Sequence, residues 1–368
     1  MNTTISNWNG IKPTAIYLKQ LKEQPLYHDS NLKMWVACSY GYCKALLLDE
    51  NAHVPEPFID DNGPMNNEMK LLLRNLARIS NDRKHQASRG AAMSIYDSIS
   101  KVNVSDVLGQ LLKGINTNDG FDWVEVVGKQ LPILVILKGL GFNDEDKAYI
   151  ITKLAALVSV MAPSKTVEDI ETLNPVISKF YAIAERYALV NGFSTDALMI
   201  SNLLGLFIQC YDAGRGLLCN VLLTLSRFNN RELGKTDNEF YNKLVTETLR
   251  RYPPVHNTRR VAVKDISLGG ETIKAEETVL IVLAAANLDS RIFTNPEKFD
   301  LQRDNNDDNL TFGLGSHNCI AKYLSIGMAT DTCSFLVDNY SVITILQKEF
   351  AYESQLNVRL MKQLMVSL

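Results

Sequence analysis

A mainly α-helical protein with small β-sheets is predicted by three features of this sequence. Apolar residues recur at helical spacing over the long segments 122–160, 167–190 and 201–227. Strand-like alternation is short, at 32–38, over 260–281 and in the tail 357–368. The glycine turn Phe312-Gly313-Leu314-Gly315-Ser316-His317-Asn318-Cys319 then delivers one cysteine just ahead of a further helical run, 321–337. A cysteine placed there is a candidate thiolate, because a helix N-terminus stabilises negative charge and offers backbone N–H groups to sulfur. Such a sulfur suits an iron axial ligand that favours O–O cleavage. The bland alternative is a buried structural cysteine after a turn.

The chain has 368 residues, long for one core yet ordinary for a large helical enzyme, and a single domain over 1–368 is expected. The formal net charge is -3 with both signs interspersed, which argues against a nucleic-acid partner. Met1–Gly10 is polar, and no later stretch reads as long and apolar enough to span a bilayer, so a cytoplasmic protein without a membrane anchor is expected. The six cysteines, at 38, 43, 210, 219, 319 and 333, lack the spacing of a disulfide framework, a zinc site or a covalent haem attachment. All but Cys319 lie in apolar surroundings and read as small core residues.

In chain order, Leu32–Cys38 reads as a strand, and Tyr40–Leu48 as a helix entered through the Ser39–Gly41 turn. Residues 54–67, with Pro55, Pro57, Gly63 and Pro64, form an irregular loop. His85 and Arg89 fall one helical turn apart on one face, which by itself suggests a solvated basic face. The packing helices of 122–160 are broken by Gly139, Gly141 and Asn143, and a second helical stretch runs from Val167 to Val190.

Residues 201–227 read as a long, nearly all-apolar helix crossing the core, with Asp212, Gly214, Arg215 and Gly216 in its middle. Each glycine costs about 1 kcal/mol against alanine there, so a kink or bulge beside a site is expected. Arg215, three residues after Asp212, is placed to pair with it or to receive a substrate carboxylate. Glu247 and Arg250, at i and i+3, have the geometry of a buried bidentate ion pair. Arg260–Ile266 and Glu271–Ile281 alternate as two strands around Gly269-Gly270, a hairpin; a short strand-like tail, Asn357–Leu368, ends the chain.

The 312–321 stretch resembles the haem-binding loop of the cytochrome P450 family, Phe-Gly-x-Gly-x-His/Arg-x-Cys-x-Gly/Ala, with every fixed position filled. The resemblance extends over nearly the whole chain: the Trp35-Val36 strand and short helix, a His-x-x-x-Arg helix at His85 and Arg89, a Glu-x-x-Arg helix at Glu247 and Arg250, and Arg260. It implies the cytochrome P450 fold and a haem b (iron protoporphyrin IX) cofactor. In it, Cys319 is the proximal iron ligand; His85, Arg89, Arg260 and His317 meet the propionates; Phe312 and Gly313 shape the loop. Glu247 and Arg250 are structural, and Val255, His256 and Asn257 line the substrate pocket.

The resemblance also makes 201–227 the distal helix, where most members carry an acid followed by threonine to deliver protons. Here Asp212 fills the acid slot, while Ala213 stands in the threonine slot and Gly214 follows, so the alcohol is absent. Where the family usually has arginine before the haem loop, Leu288 stands. The function implied is monooxygenation of a small organic molecule, by hydroxylation or oxidative coupling in secondary (specialised) metabolism, with electrons from a separate ferredoxin and ferredoxin reductase. The missing alcohol leaves two alternatives: a peroxide-using or non-oxygenase haem-thiolate enzyme, and a non-catalytic family member that recruits another protein.

Overall fold

The structure, a computed structural model, describes residues 13–162, 164–228, 237–355 and 357–368. Met1–Gly10 and Pro163 therefore lie outside the described residues. In chain order the elements are α1 (Pro13–Glu23), β1 (Leu26–Asp29), β2 (Met34–Ala37), α2 (Tyr40–Leu48), β3 (Ala52–His53), α3 (Asn67–Asn75), α4 (Asp82–Asp97) and α5 (Val104–Leu112). There follow β4 (Phe121–Asp122), α6 (Leu131–Gly139), α7 (Asp144–Ser159), α8 (Val167–Val190), α9 (Ala197–Leu225) and α10 (Asn238–Arg251). The remainder is β5 (Thr258–Ala262), β6 (Ile266–Leu268), β7 (Glu271–Ile273), β8 (Thr278–Ile281), α11 (Leu283–Ala286), α12 (Lys322–Asn339), β9 (Thr344–Ile345) and β10 (Met365–Ser367). The fold is mainly helical with small sheets, as predicted.

Several helices begin where the sequence supplies a cap. Ser39 accepts from Tyr42 N at the start of α2. Thr166 and Asp169 form a reciprocal capping box that opens α8 at the expected residue, and the helix runs on through Pro175 to Val190.

The described residues divide into two compact units. The first comprises those within 1–53, 104–129 and 213–368. Its largest sheet has the order β1-β2-β8-β5-β3, in which β2 and β8 run parallel (Trp35↔Val279) and β5 pairs antiparallel with β8 (Arg260↔Val279). One face of this sheet and α2 bury Ala37, Leu46, Ala262, Val279 and Ile281 in a common core. The other packs Val36, Leu280 and Val282 with Ile16 and Tyr17 of α1; Leu288 is buried in this second cluster, an apolar side chain among apolar neighbours. A smaller sheet, β4-β10-β9, includes the tail strand.

The expected hairpin over 260–281 is two pairings instead. β6 and β7 close the short hairpin around Gly269-Gly270, while β5 passes it and pairs with β8. The second strand is interrupted over Lys274–Glu277, where Glu276 has φ +72.

The second unit comprises 54–103 and 130–212, and is helical: α3 and α7 pack on α8, and Phe142 stacks on Tyr187 with ring centroids 4.2 Å apart. The segment 54–66 is irregular, as expected, and is tied down at Val54, whose N–H donates to Asn81 Oδ1 at 2.9 Å.

α9 belongs to the second unit up to Asp212 and to the first from Ala213. It is long and apolar enough, by length and composition, to cross a membrane, contrary to the sequence expectation that no stretch is. The physical reason for its composition is burial: Leu203, Leu204, Phe207, Leu217, Leu218 and Val221 are all inside the protein, as in a core helix that is apolar all round. Nor is α9 bulged. It is one unbroken α-helix, and the π-helical turn lies instead at Val124–Gly128. Its glycines serve close approach: a Cβ on Gly216 would lie 2.6 Å from Pro254 Cβ and 2.8 Å from Leu360 Cδ2.

Candidate haem-thiolate site

In the first unit, the cysteine loop is built by backbone conformations that its glycines permit. Gly313 and Gly315 have φ +68 and +72, in the left-handed region. A Cβ on Gly315 would also lie 2.8 Å from Leu47 O, so α2 forbids a side chain there. Gly315–His317 forms a single 3-10 turn, and Cys319 N donates to Phe312 O at 2.9 Å, closing the loop before α12.

Cys319 is exposed, whereas Cys38, Cys43, Cys219 and Cys333 are buried and Cys210 is half-buried. Burial pushes the thiols of Cys38 and Cys219 up to about 12, and raises those of Cys43, Cys210 and Cys333.

Arg260 stands on β5 with 4% of its surface exposed. Its Nη1 donates to Thr258 Oγ1 at 3.0 Å and to Arg259 O at 2.8 Å, both neutral acceptors. Burial pulls its pKa down to about 10. A buried guanidinium satisfied by neutral oxygens suits an anionic guest, and a haem propionate is such a group. The exposed cysteine and this guanidinium fit a haem carrying carboxylates.

Glu247 and Arg250 form the expected ion pair at 0% exposure. Arg250 Nε and Nη2 each donate to one Glu247 oxygen at 2.7 Å, and the remaining donors reach the carbonyls of Asn287, Pro296 and Lys298. Arg215, on α9, is also buried, and its Nη1 lies 3.6 Å from Glu353.

Residues 255–257 are interior, not a surface loop. Val255 bridges to Val358, Asn257 is buried, and His256 Nδ1 is hydrogen-bonded to the Tyr17 hydroxyl at 2.6 Å. Burial, and then the charge of Arg359, pushes the His256 pKa from 6.5 down to about 3. The unfolded chain therefore binds one more proton between those values, and stability rises with pH across that window. Urea unfolding midpoints should fall as pH drops from 6.5 towards 3, with a limiting slope of about 1.4 kcal/mol per pH unit from this residue. His256→Gln should flatten that dependence, and an unchanged slope would contradict the assignment.

In the second unit, His85 is buried on α4, with Nδ1 2.8 Å from Ala77 O, and Arg89 is half-buried one turn on. A solvated basic face is thus ruled out for the histidine. Asp212 and Ala213 are half-buried on α9 and Gly214 is buried.

Residues 236–364 match the family model described as Cytochrome P450. The chain is 26% identical over 325 residues to Cytochrome P450 119 of Sulfolobus acidocaldarius, covering 83% of this chain and 85% of that one. It is 23% identical over 380 aligned positions to the Biotin biosynthesis cytochrome P450 of Bacillus subtilis, covering 96% of each. In fold it is similar to P450BioI, solved in complex with hexadec-9Z-enoic acid ligated acyl carrier protein, with a TM-score of 0.84 at 22% identity over 97% of this chain and 98% of that one. The fold and the cysteine loop define a haem-thiolate oxidoreductase. Over most of its length the chain is similar to cytochrome P450s, monooxygenases whose cofactor is a haem iron.

Proposed function

We propose that this enzyme oxidises a small organic molecule, by hydroxylation or oxidative coupling in specialised metabolism, in the cytoplasm, with electrons from a separate ferredoxin and its reductase. Haem b, held in a single haem domain over 1–368, supplies the dioxygen chemistry when bound. Cys319 would supply its thiolate, His85, Arg89, Arg260 and His317 would hold its propionates, and Phe312 and Gly313 would set the loop. Val255, His256 and Asn257 belong to the substrate side.

The single observation that carries the reading is that the only cysteine on a left-handed glycine turn is also the only exposed one of the six. The reduced carbon-monoxide spectrum of the purified protein tests it. A thiolate-type band is expected, and a histidine-type band would overturn the assignment.

On the distal side, Asp212 with ordered water is the proton-delivery group, since Ala213 and Gly214 offer no hydroxyl. That absence favours a second reading, a peroxide-using or non-oxygenase haem-thiolate enzyme. Turnover with peroxide alone, and none with ferredoxin and reductase, would select it. Arg215 is a candidate receptor for a substrate carboxylate, which would share its guanidinium with Glu353. The similarity to P450BioI in its acyl carrier protein complex supports screening carrier-bound acyl chains beside free ligands for displacement of the distal water.

A further inference from the structure

The turn 252–257, which joins α10 to β5, is held through its backbone from several sides of the first unit. Pro254 O accepts from Arg359 N at 2.9 Å, His256 N donates to Asn357 O at 2.9 Å, and His256 O accepts from Ala284 N at 3.1 Å. Val255 bridges to Val358. On α9, Asn220 Nδ2 donates to Tyr252 O at 2.7 Å, and Pro254 and Leu360 pack against Gly216, three residues beyond Ala213. The turn is thus set against the distal helix and the C-terminal segment together.

A side-chain contact also reaches it from α1. The Tyr17 hydroxyl lies 2.6 Å from His256 Nδ1, with ring centroids 5.8 Å apart and the rings tilted by 60°. Tyr17 is 2% exposed and His256 7%, so water cannot replace either partner if the bond is lost. Tyr17 is itself seated in the apolar cluster of Val36, Leu280, Val282 and Ala284, the residue whose N–H binds His256 O. Its hydroxyl therefore stands on a packed base, and the imidazole is turned towards α1 rather than left to rotate.

We propose that Tyr17 is a positioning residue for substrate recognition: through His256, 239 positions further along the chain, it fixes the flanking Val255 and Asn257. A loop released from that hydroxyl must be ordered again by any ligand that seats on it, and affinity falls by that cost. This rests on the reading of 255–257 as part of the substrate side.

The test titrates the haem-loaded protein with imidazole, a minimal iron ligand, and with 4-phenylimidazole, whose phenyl ring also reads the pocket wall, each followed by the shift of the Soret band. Tyr17→Phe, which removes only the hydroxyl, should weaken 4-phenylimidazole three- to tenfold and leave imidazole within twofold. His256→Asn, which keeps an acceptor near the place of Nδ1, should retain most of the parent affinity, and His256→Leu should behave as Tyr17→Phe. In urea unfolding of the same haem-loaded proteins, Tyr17→Phe and His256→Leu should be non-additive by about fivefold in the unfolding equilibrium constant, the scale of one hydrogen bond. Equal weakening of both ligands, or additive unfolding, overturns the proposal. So does a 4-phenylimidazole affinity that responds to Val255→Ala and not to Tyr17→Phe. Indifference to Val255→Ala removes the substrate-side reading itself, and the proposal with it.

Discussion

Glu247→Ala should destabilise the haem-loaded protein by about 3–5 kcal/mol, the scale at which removing one partner of a buried ion pair strands the other. Glu247 and Arg250 are both fully buried, so the surviving guanidinium would have no water to turn to. The carboxylate does more than pair. Its Oε1 also accepts from Asp300 N at 2.9 Å and lies 3.6 Å from Arg303 Nε, so its loss removes an anchor of the 296–303 segment. Arg250 in turn closes carbonyls from three separate positions, Asn287, Pro296 and Lys298, and sits 5.4 Å from the Phe293 ring centroid. Arg250→Lys is the sharper variant, because lysine keeps the charge but cannot chelate Glu247 while reaching those carbonyls. A denaturation midpoint for Arg250→Lys within about 0.5 kcal/mol of the parent would contradict this account.

Much of the arrangement was legible because it is local. The start of α2 follows from the turn at Ser39, that of α8 from helical periodicity beginning at Val167, and the cysteine loop from two glycines whose left-handed backbone no other residue adopts cheaply. The Glu247–Arg250 pair was readable for the same reason, since i and i+3 on a helix meet whatever surrounds them.

What the sequence concealed is set by partners far apart in the chain. Strand alternation from Arg260 to Ile281 carries no sign that β5 will pair with β8, nor that β8 will also pair, parallel, with β2 some 240 residues earlier. The glycines of α9 suggested a bulge because their reason, contact with Pro254, Leu360 and Leu76, lies outside the helix. Spacing along the helix gave no sign that Glu353, from the C-terminal segment, faces Arg215.

Replacing cysteines one at a time should separate chemistry from packing. Cys319→Ser is expected to abolish the thiolate-type carbon-monoxide band and essentially all reductase-supported turnover, because serine cannot supply the soft, electron-donating sulfur the iron requires. In the haem-free protein it should cost little stability, since the side chain is exposed and its backbone N–H bond to Phe312 O is kept. Cys333→Ser should do the reverse. That side chain is wholly buried on α12, so a hydroxyl there costs about 1–3 kcal/mol unless it finds a partner, while the band survives in whatever fraction stays folded. The contrast follows from exposure: the Cys319 thiol is exposed, whereas burial raises the pKa of the Cys333 thiol. Loss of the band in Cys333→Ser with full retention of the fold, or its persistence in Cys319→Ser, would transfer the ligand to another residue and undo the assignment of the 312–319 loop.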